Sequence, residues 1–211
     1  MSATRDLGRR VELVSMDPHF HDITIALYRE DTDQGPTYRV HTYSSLPGAD
    51  QRIECIYAGM ERMGAMLRDG EVLRFACGSA HLMAARRLFL EVCKLAPEVP
   101  VETRPLTILD KKSGLSIAVA DLGAGAYQVS GEGEAKRKER RIEAITGGLH
   151  KLAEMDPQDD SPYRAVFPCG QAHTALVGLL LNRALNVRQA MREQDDATGR
   201  GVLAAPSAQN E

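Results

Sequence analysis

The most reactive side chains in this 211-residue chain lie in two nearly identical short segments. Residues 76–81 read ACGSAH and residues 168–173 read PCGQAH, so Cys-Gly-x-Ala-His occurs twice, 92 positions apart. Each copy follows a short apolar run and precedes a longer one, which predicts a junction between a strand and a helix. The N-terminus of a helix lowers the pKa of a thiol and favours a neutral imidazole. The segments therefore predict a reactive or ligand-binding site.

Unpaired N–H groups at the start of a helix bind anions, so each junction is a candidate site for a small anionic metabolite. Glycine suits the sharp turn there, and Ser79 is a candidate helix cap. The residues predicted to bind a ligand are Gly78, Ser79, Gly170 and Gln171. Those predicted to act in catalysis are His81 and His173 as acid or base and Cys77 and Cys169 as thiolates. The sequence leaves open whether the protein is an enzyme, and it identifies no cofactor.

Two further interpretations of the junctions remain open. In the simplest one, cysteine and alanine are small packing residues and each histidine is satisfied by the backbone. In the other, both copies together form a Cys₂His₂ metal site. The usual structural zinc signature pairs Cys with Cys and His with His along the chain, whereas each segment here supplies one of each.

The two segments belong to a longer internal similarity. Residues 51–66 (QRIECIYAGMERMGAM) align with residues 140–155 (RRIEAITGGLHKLAEM), and glycine recurs mid-helix as Gly59 and Gly148. Helical glycine costs about 1 kcal/mol relative to alanine, so its recurrence indicates a close backbone approach. The similarity predicts two copies of one structural unit, which we call the first half (11–96) and the second half (105–190).

Each half reads as β-β-β-α-β-α. In the first half, apolar residues at helical spacing predict a helix that includes Leu67, and a later helix that reaches Ala96. We expect an α+β protein, a two-layer α/β sandwich built by tandem duplication and packed as an internal pseudo-dimer. An N-terminal extension (1–10), a linker (97–104) and a flexible tail (191–211) complete the domain prediction.

This predicted element order resembles that of two fold families. One is the split two-layer fold of galactokinase-type kinases, which is duplicated in imidazoleglycerol-phosphate dehydratase. The other is the ribonuclease H and actin-like fold, which normally continues with another strand and helix, so we favour the first. The metal-binding histidine pairs of the dehydratase are absent from this sequence, and its chemistry is not carried over.

Three weaker features have simple structural interpretations. The pair His19 and His21 could ligate a metal, but we favour a polar loop that leads into a strand. The basic run Lys136–Arg141 (KRKERR) reads as the solvated start of a helix. The glycines at 123 and 125 precede a strand, which predicts a hairpin turn and not a dinucleotide-binding loop.

The composition of the chain argues against some classes of binding partner. The formal charge is −3, there is no Trp, and aromatic residues make up 5% of the chain, which argues against nucleic acid. Four cysteines are too few for a disulfide scaffold and fit a reducing, cytoplasmic compartment. No segment is long and apolar enough to span a membrane.

The apolar run Ala175–Leu181 predicts a deep core or a homo-oligomer interface. We expect either metabolite binding at the junctions or, alternatively, a non-catalytic structural protein whose repeat serves assembly.

Overall fold

The structure consists of two antiparallel sheets with helices packed on them. It is a computed structural model and describes residues 9–20, 23–98, 103–158, 161–188 and 190–192. The first sheet has the order β1-β2-β3-β5-β4: β1 Arg10–Met16, β2 Thr24–Thr32, β3 Gly35–Thr42, β4 Met66–Asp69 and β5 Val72–Phe75. The second has the order β6-β7-β8-β10-β9: β6 Thr107–Asp110, β7 Leu115–Gly123, β8 Ala126–Glu132, β9 Asp156–Gln158 and β10 Ser161–Val166. The helices are α1 Ala49–Gly64, α2 Leu82–Cys93, α3 Ala135–Ala153 and α4 Thr174–Ala184. The predicted α+β class is confirmed.

Each half contains one strand more than the sequence predicts. The order is β-β-β-α-β-β-α, because a short strand, β4 or β9, precedes the last strand of each sheet. Helix α1 stops at Gly64, where Ala65 adopts a left-handed conformation with φ 50° and its N–H donates to the carbonyl of Glu61. The prediction that Leu67 continues this helix was wrong, since Leu67 lies on β4 and half of its surface is exposed.

Other element boundaries also differ from the prediction. Helix α2 ends at Cys93, so Ala96 is not part of it. The polar run DPQDDSP (residues 156–162), whose composition is typical of a loop, instead contains β9 and the start of β10. Parts of the predicted extension (1–8), linker (99–102) and tail (193–211), together with His21, lie outside the described residues.

Helices from both halves share one apolar core. Helix α1 contacts α4, and α2 contacts both α3 and α4. Buried hydrophobic residues of the two halves form one continuous cluster. Residues Leu176–Leu181 of α4 are all buried within the chain, so this run belongs to a deep core. None of the described helices is long and apolar enough to cross a membrane.

Glycine permits close helix packing at matching places in the two halves. A Cβ added at Gly59 of α1 would lie 2.5 Å from the Cγ1 of Val92 on α2. A Cβ added at Gly148 of α3 would lie 2.6 Å from the Cα of Ala184 on α4. The predicted close approach of two backbones is therefore present at Gly148, whereas at Gly59 the neighbour is the side chain of Val92.

We expect Gly148→Ala to destabilise the protein by about 1–3 kcal/mol, because the added methyl group meets backbone atoms of α4 that cannot rotate away. The neighbouring Gly147 is the matched control, since a Cβ there meets nothing within 4 Å. Gly147→Ala should stabilise the protein by roughly 0.5–1 kcal/mol through helix propensity alone. Urea unfolding of both variants measures the difference. Equal effects would show that the α3–α4 contact is looser than this packing requires.

Candidate metal centre

Both Cys-Gly-x-Ala-His segments form the same strand-to-helix junction. The N–H of Gly78 donates to the carbonyl of Phe75 at 2.9 Å, and the N–H of Gly170 donates to that of Phe167 at the same distance. Both glycines are left-handed, with φ of 76° and 69°, so the turn places a small flexible residue directly after each cysteine. The histidines are the N-cap residues of α2 and α4. Each turn thereby brings the thiol next to the N-cap histidine of its helix.

The two junctions meet, and the four predicted catalytic residues form one cluster. The Sγ of Cys77 lies 3.1 Å from the Nε2 of His81, and the Sγ of Cys169 lies 3.3 Å from the Nε2 of His173. One ligand atom from each of these four residues lies within 4.8 Å of every other. We call this set the Cys₂His₂ cluster. Each half contributes one thiol and one imidazole to it.

Aromatic rings surround the imidazoles and exclude water from the inner side of the cluster. The ring centroids of His81 and His173 are 4.8 Å apart. Phe75 packs edge-on against His81 at 5.0 Å, and Phe167 packs in the same way against His173 at 4.8 Å. The histidines are 7% and 2% exposed, whereas both cysteines are half-buried. The rings of Phe75 and Phe167, which we call the aromatic floor, therefore cover the inner side of the cluster, and the two sulfurs lie on its outer side.

Burial holds the imidazoles in the neutral form that binds metals. It lowers the pKa of His81 to about 4, with a further contribution from the imidazole of His173. Burial also lowers the pKa of His173. For the thiol of Cys169, burial raises the pKa, and the nearby thiol of Cys77 adds to the rise. A bound cation offsets this penalty, because it stabilises the thiolates and needs the lone pairs of neutral imidazoles.

Hydrogen bonds from the sheets hold both histidine-bearing segments in place. In the first half, the hydroxyl of Tyr38 donates to the carbonyl of Ala80. In the second half, the hydroxyl of Tyr127 accepts the N–H of His173 at 2.9 Å and contacts the hydroxyl of Thr174. Both tyrosines are fully buried on the third strand of their sheets, so the backbone that carries each imidazole is fixed by the core.

The residues predicted to bind an anion lie at the rim of the cluster. Gly78, Gly170 and Gln171 are exposed, and Ser79 is half-buried. Ser79 does not cap α2 as the sequence suggests, because that helix begins after His81 and has no side-chain cap. A carboxylate of the protein already occupies the start of α2, where the N–H of Met83 donates to Glu154 at 3.2 Å.

The weaker sequence candidates lie outside the cluster. The Nε2 of His19 contacts the carbonyl of Lys94 at 3.0 Å, and its predicted partner His21 is not among the described residues. The basic run Lys136–Arg141 lies in the first two turns of α3. Residues 124–125 form the turn between β7 and β8, which confirms the predicted hairpin.

The sequence interpretation missed the aromatic floor. Phe75 and Phe167 each precede a cysteine by two residues, so the repeated segment is really Phe-x-Cys-Gly-x-Ala-His. That recurrence was a usable signal, because a phenylalanine that recurs beside a potential ligand indicates a shared packing role.

No family model matches the chain, and neither curated proteins nor solved structures show a significant match to it.

Proposed function

We propose that the protein binds one zinc ion through Cys77, His81, Cys169 and His173, and that the ion joins its two halves. The observation that carries this proposal is the convergence of four potential ligand atoms within 4.8 Å of one another. Zinc binds sulfur at about 2.3 Å and nitrogen at about 2.0–2.1 Å, so the ligand atoms of a tetrahedral site lie roughly 3.3–3.8 Å apart. The Cys–His separations of 3.1 and 3.3 Å need only small adjustment to reach that geometry.

The ligand types favour zinc and a structural role. Two thiolates and two imidazoles are the donor set of closed tetrahedral zinc sites, in which four protein ligands leave no position for a substrate. Hard ions such as magnesium and calcium prefer oxygen ligands. Because each half supplies only two ligands, the bound ion acts as a cross-link between them.

A thiol-based catalytic site is the second candidate, favoured by the Cys–His contacts, which resemble a nucleophile beside its base. Such a pair works as thiolate and imidazolium. Burial opposes both charges here, since it lowers the pKa of both histidines and raises that of Cys169. Binding or transformation of a small anionic metabolite at the junctions stays a prediction, and the geometry favours the metal.

We also propose that the two halves arose by tandem duplication and pack as an internal pseudo-dimer. The matching strand orders, the repeated junction and the equivalent glycines Gly59 and Gly148 support this relation. Zinc-ligating thiols fit the reducing cytoplasm that the sequence suggests. Homo-oligomer formation stays a prediction, as does the absence of a nucleic-acid partner.

Metal analysis of the full chain tests the zinc proposal. We expect the protein, purified under reducing conditions without a metal-affinity tag, to carry one zinc per chain by inductively coupled plasma mass spectrometry. Cobalt should replace the zinc and give the visible absorption of a tetrahedral thiolate-ligated ion. A metal-free protein that gives no such spectrum on cobalt addition would contradict the proposal and favour the apo thiol site.

A further inference from the structure

We propose, on the basis of the zinc site above, that Cys77 and Cys169 form a reversible disulfide when a peroxide oxidises them, and that this disulfide expels the ion. Zinc binding would then be controlled by the redox state of the same two thiols that help to hold the halves together.

The first support is the direction in which the cluster faces solvent. The imidazoles lie against the rings of Phe75 and Phe167, whereas both cysteines are half-buried. The residues that follow the cysteines, Gly78 and Gly170, are exposed. An oxidant arriving from solvent therefore meets sulfur before it meets nitrogen.

The second support is the proximity of the two sulfurs. They come from different halves and lie within 4.8 Å of each other. A disulfide bond is about 2.05 Å long, so closing the gap moves the sulfurs together by less than about 3 Å. The left-handed glycine after each cysteine has open space on one side, because a Cβ at Gly78 or Gly170 would meet nothing within 4 Å. On that side, no neighbouring atom opposes a shift of the turn that carries each sulfur.

The reaction balances with one peroxide molecule. One thiolate attacks a peroxide oxygen, the O–O bond breaks, and a sulfenic acid and a hydroxide form. The second thiolate attacks the sulfenic sulfur, the S–O bond breaks, and the disulfide forms as a second hydroxide leaves. Two electrons pass from the sulfurs to the peroxide, and two solvent protons convert the hydroxides to water. Only two imidazoles then remain as ligands, so the zinc dissociates.

The other cysteines are placed differently. Cys93 is buried in the core, and the thiol of Cys55 donates to the carbonyl of Pro97 at 3.7 Å. Cys55 is half-buried like the cluster cysteines but contacts no histidine among the described residues. Cys55→Ser is therefore a matched control for thiol chemistry outside the cluster.

The test is titration of the zinc-loaded full chain with hydrogen peroxide in the presence of a metallochromic indicator. We expect one zinc released per disulfide, a Cys77–Cys169 cross-linked peptide by mass spectrometry, and zinc rebinding after dithiothreitol. Cys55→Ser should behave like the wild type. Cys169→Ser lacks one of the two sulfurs, so it should form no cross-link within the chain under peroxide.

The outcomes separate this inference from the zinc proposal. A chain that carries no zinc before peroxide is added would overturn both. A zinc-loaded chain that keeps its ion under peroxide, or that loses it without the Cys77–Cys169 cross-link, would overturn only the redox inference.

Discussion

Replacing His173 with alanine is expected to weaken zinc binding by roughly 100- to 1000-fold. Structural zinc sites bind with about 10–16 kcal/mol in total, so one of four ligands accounts for about 2.5–4 kcal/mol. His173 is 2% exposed and its backbone is held by Tyr127, so no water or neighbouring side chain can easily take its place. Competition with a chromophoric chelator of known zinc affinity measures the change.

His19→Ala is the control for this experiment. The Nε2 of His19 contacts only a backbone carbonyl, that of Lys94, among the described residues, and its loss should leave the zinc affinity unchanged. Circular dichroism shows whether His173→Ala remains folded. If His173→Ala is folded and binds zinc as tightly as the wild type, the histidine is a packing residue and the Cys₂His₂ assignment is wrong.

Replacing Arg52 with alanine is expected to cost about 3–5 kcal/mol of folding stability, because it leaves a buried carboxylate without its counter-charge. The guanidinium is 2% exposed, and Asp17, its partner, is 1% exposed. The same side chain also donates to the carbonyls of Leu95 and Cys93 at 2.9 and 2.6 Å. It therefore ties the start of α1 to the end of α2. Denaturant unfolding of the purified variant measures the loss.

The second half supplies a matched comparison. Arg141 of α3 pairs with Asp110 at 2.9 Å, as Arg52 of α1 pairs with Asp17, but its side chain is 32% exposed. Solvent screens the guanidinium, and Asp110, although only 7% exposed, still accepts hydrogen bonds from Ser113 and from the N–H of Lys112. Arg141→Ala should therefore cost about 1 kcal/mol. If the two variants lose similar amounts of folding free energy, burial does not decide how much these ion pairs contribute to stability.

Much of the fold follows from local patterns in the sequence. The spacing of Ile53, Ile56, Met60 and Met63 predicts α1, and polar turn residues separate the first three strands of each sheet. Strand β4 was missed because Leu67 continues the helical spacing of α1, and β9 was missed because its three residues, Asp-Pro-Gln, show no apolar alternation. Leu67 continues the helical spacing by coincidence, and the left-handed Ala65 that ends the helix has no signature in its residue type.

The members of the site were predictable, but their arrangement was not. The repetition of Cys-Gly-x-Ala-His identifies Cys77, His81, Cys169 and His173 as candidates. Local periodicity cannot say whether two junctions 92 positions apart face each other, because that depends on how the helices of one half pack on those of the other. The contacts of α1 with α4 and of α2 with α3 and α4 decide it, and these contacts between the halves leave no local pattern in the sequence.

The division of the ligands between the two halves sets an order of events during protein synthesis. A ribosome adds about 5–20 residues each second, so the second ligand pair leaves it roughly 5–20 s after the first. Until then the nascent first half offers only two of the four ligands of the proposed zinc site, Cys77 and His81, which alone would hold the ion weakly. Stable zinc uptake must wait for Cys169 and His173 to emerge and for the halves to dock. A chain that retains zinc tightly has therefore been translated beyond His173 and has assembled both halves.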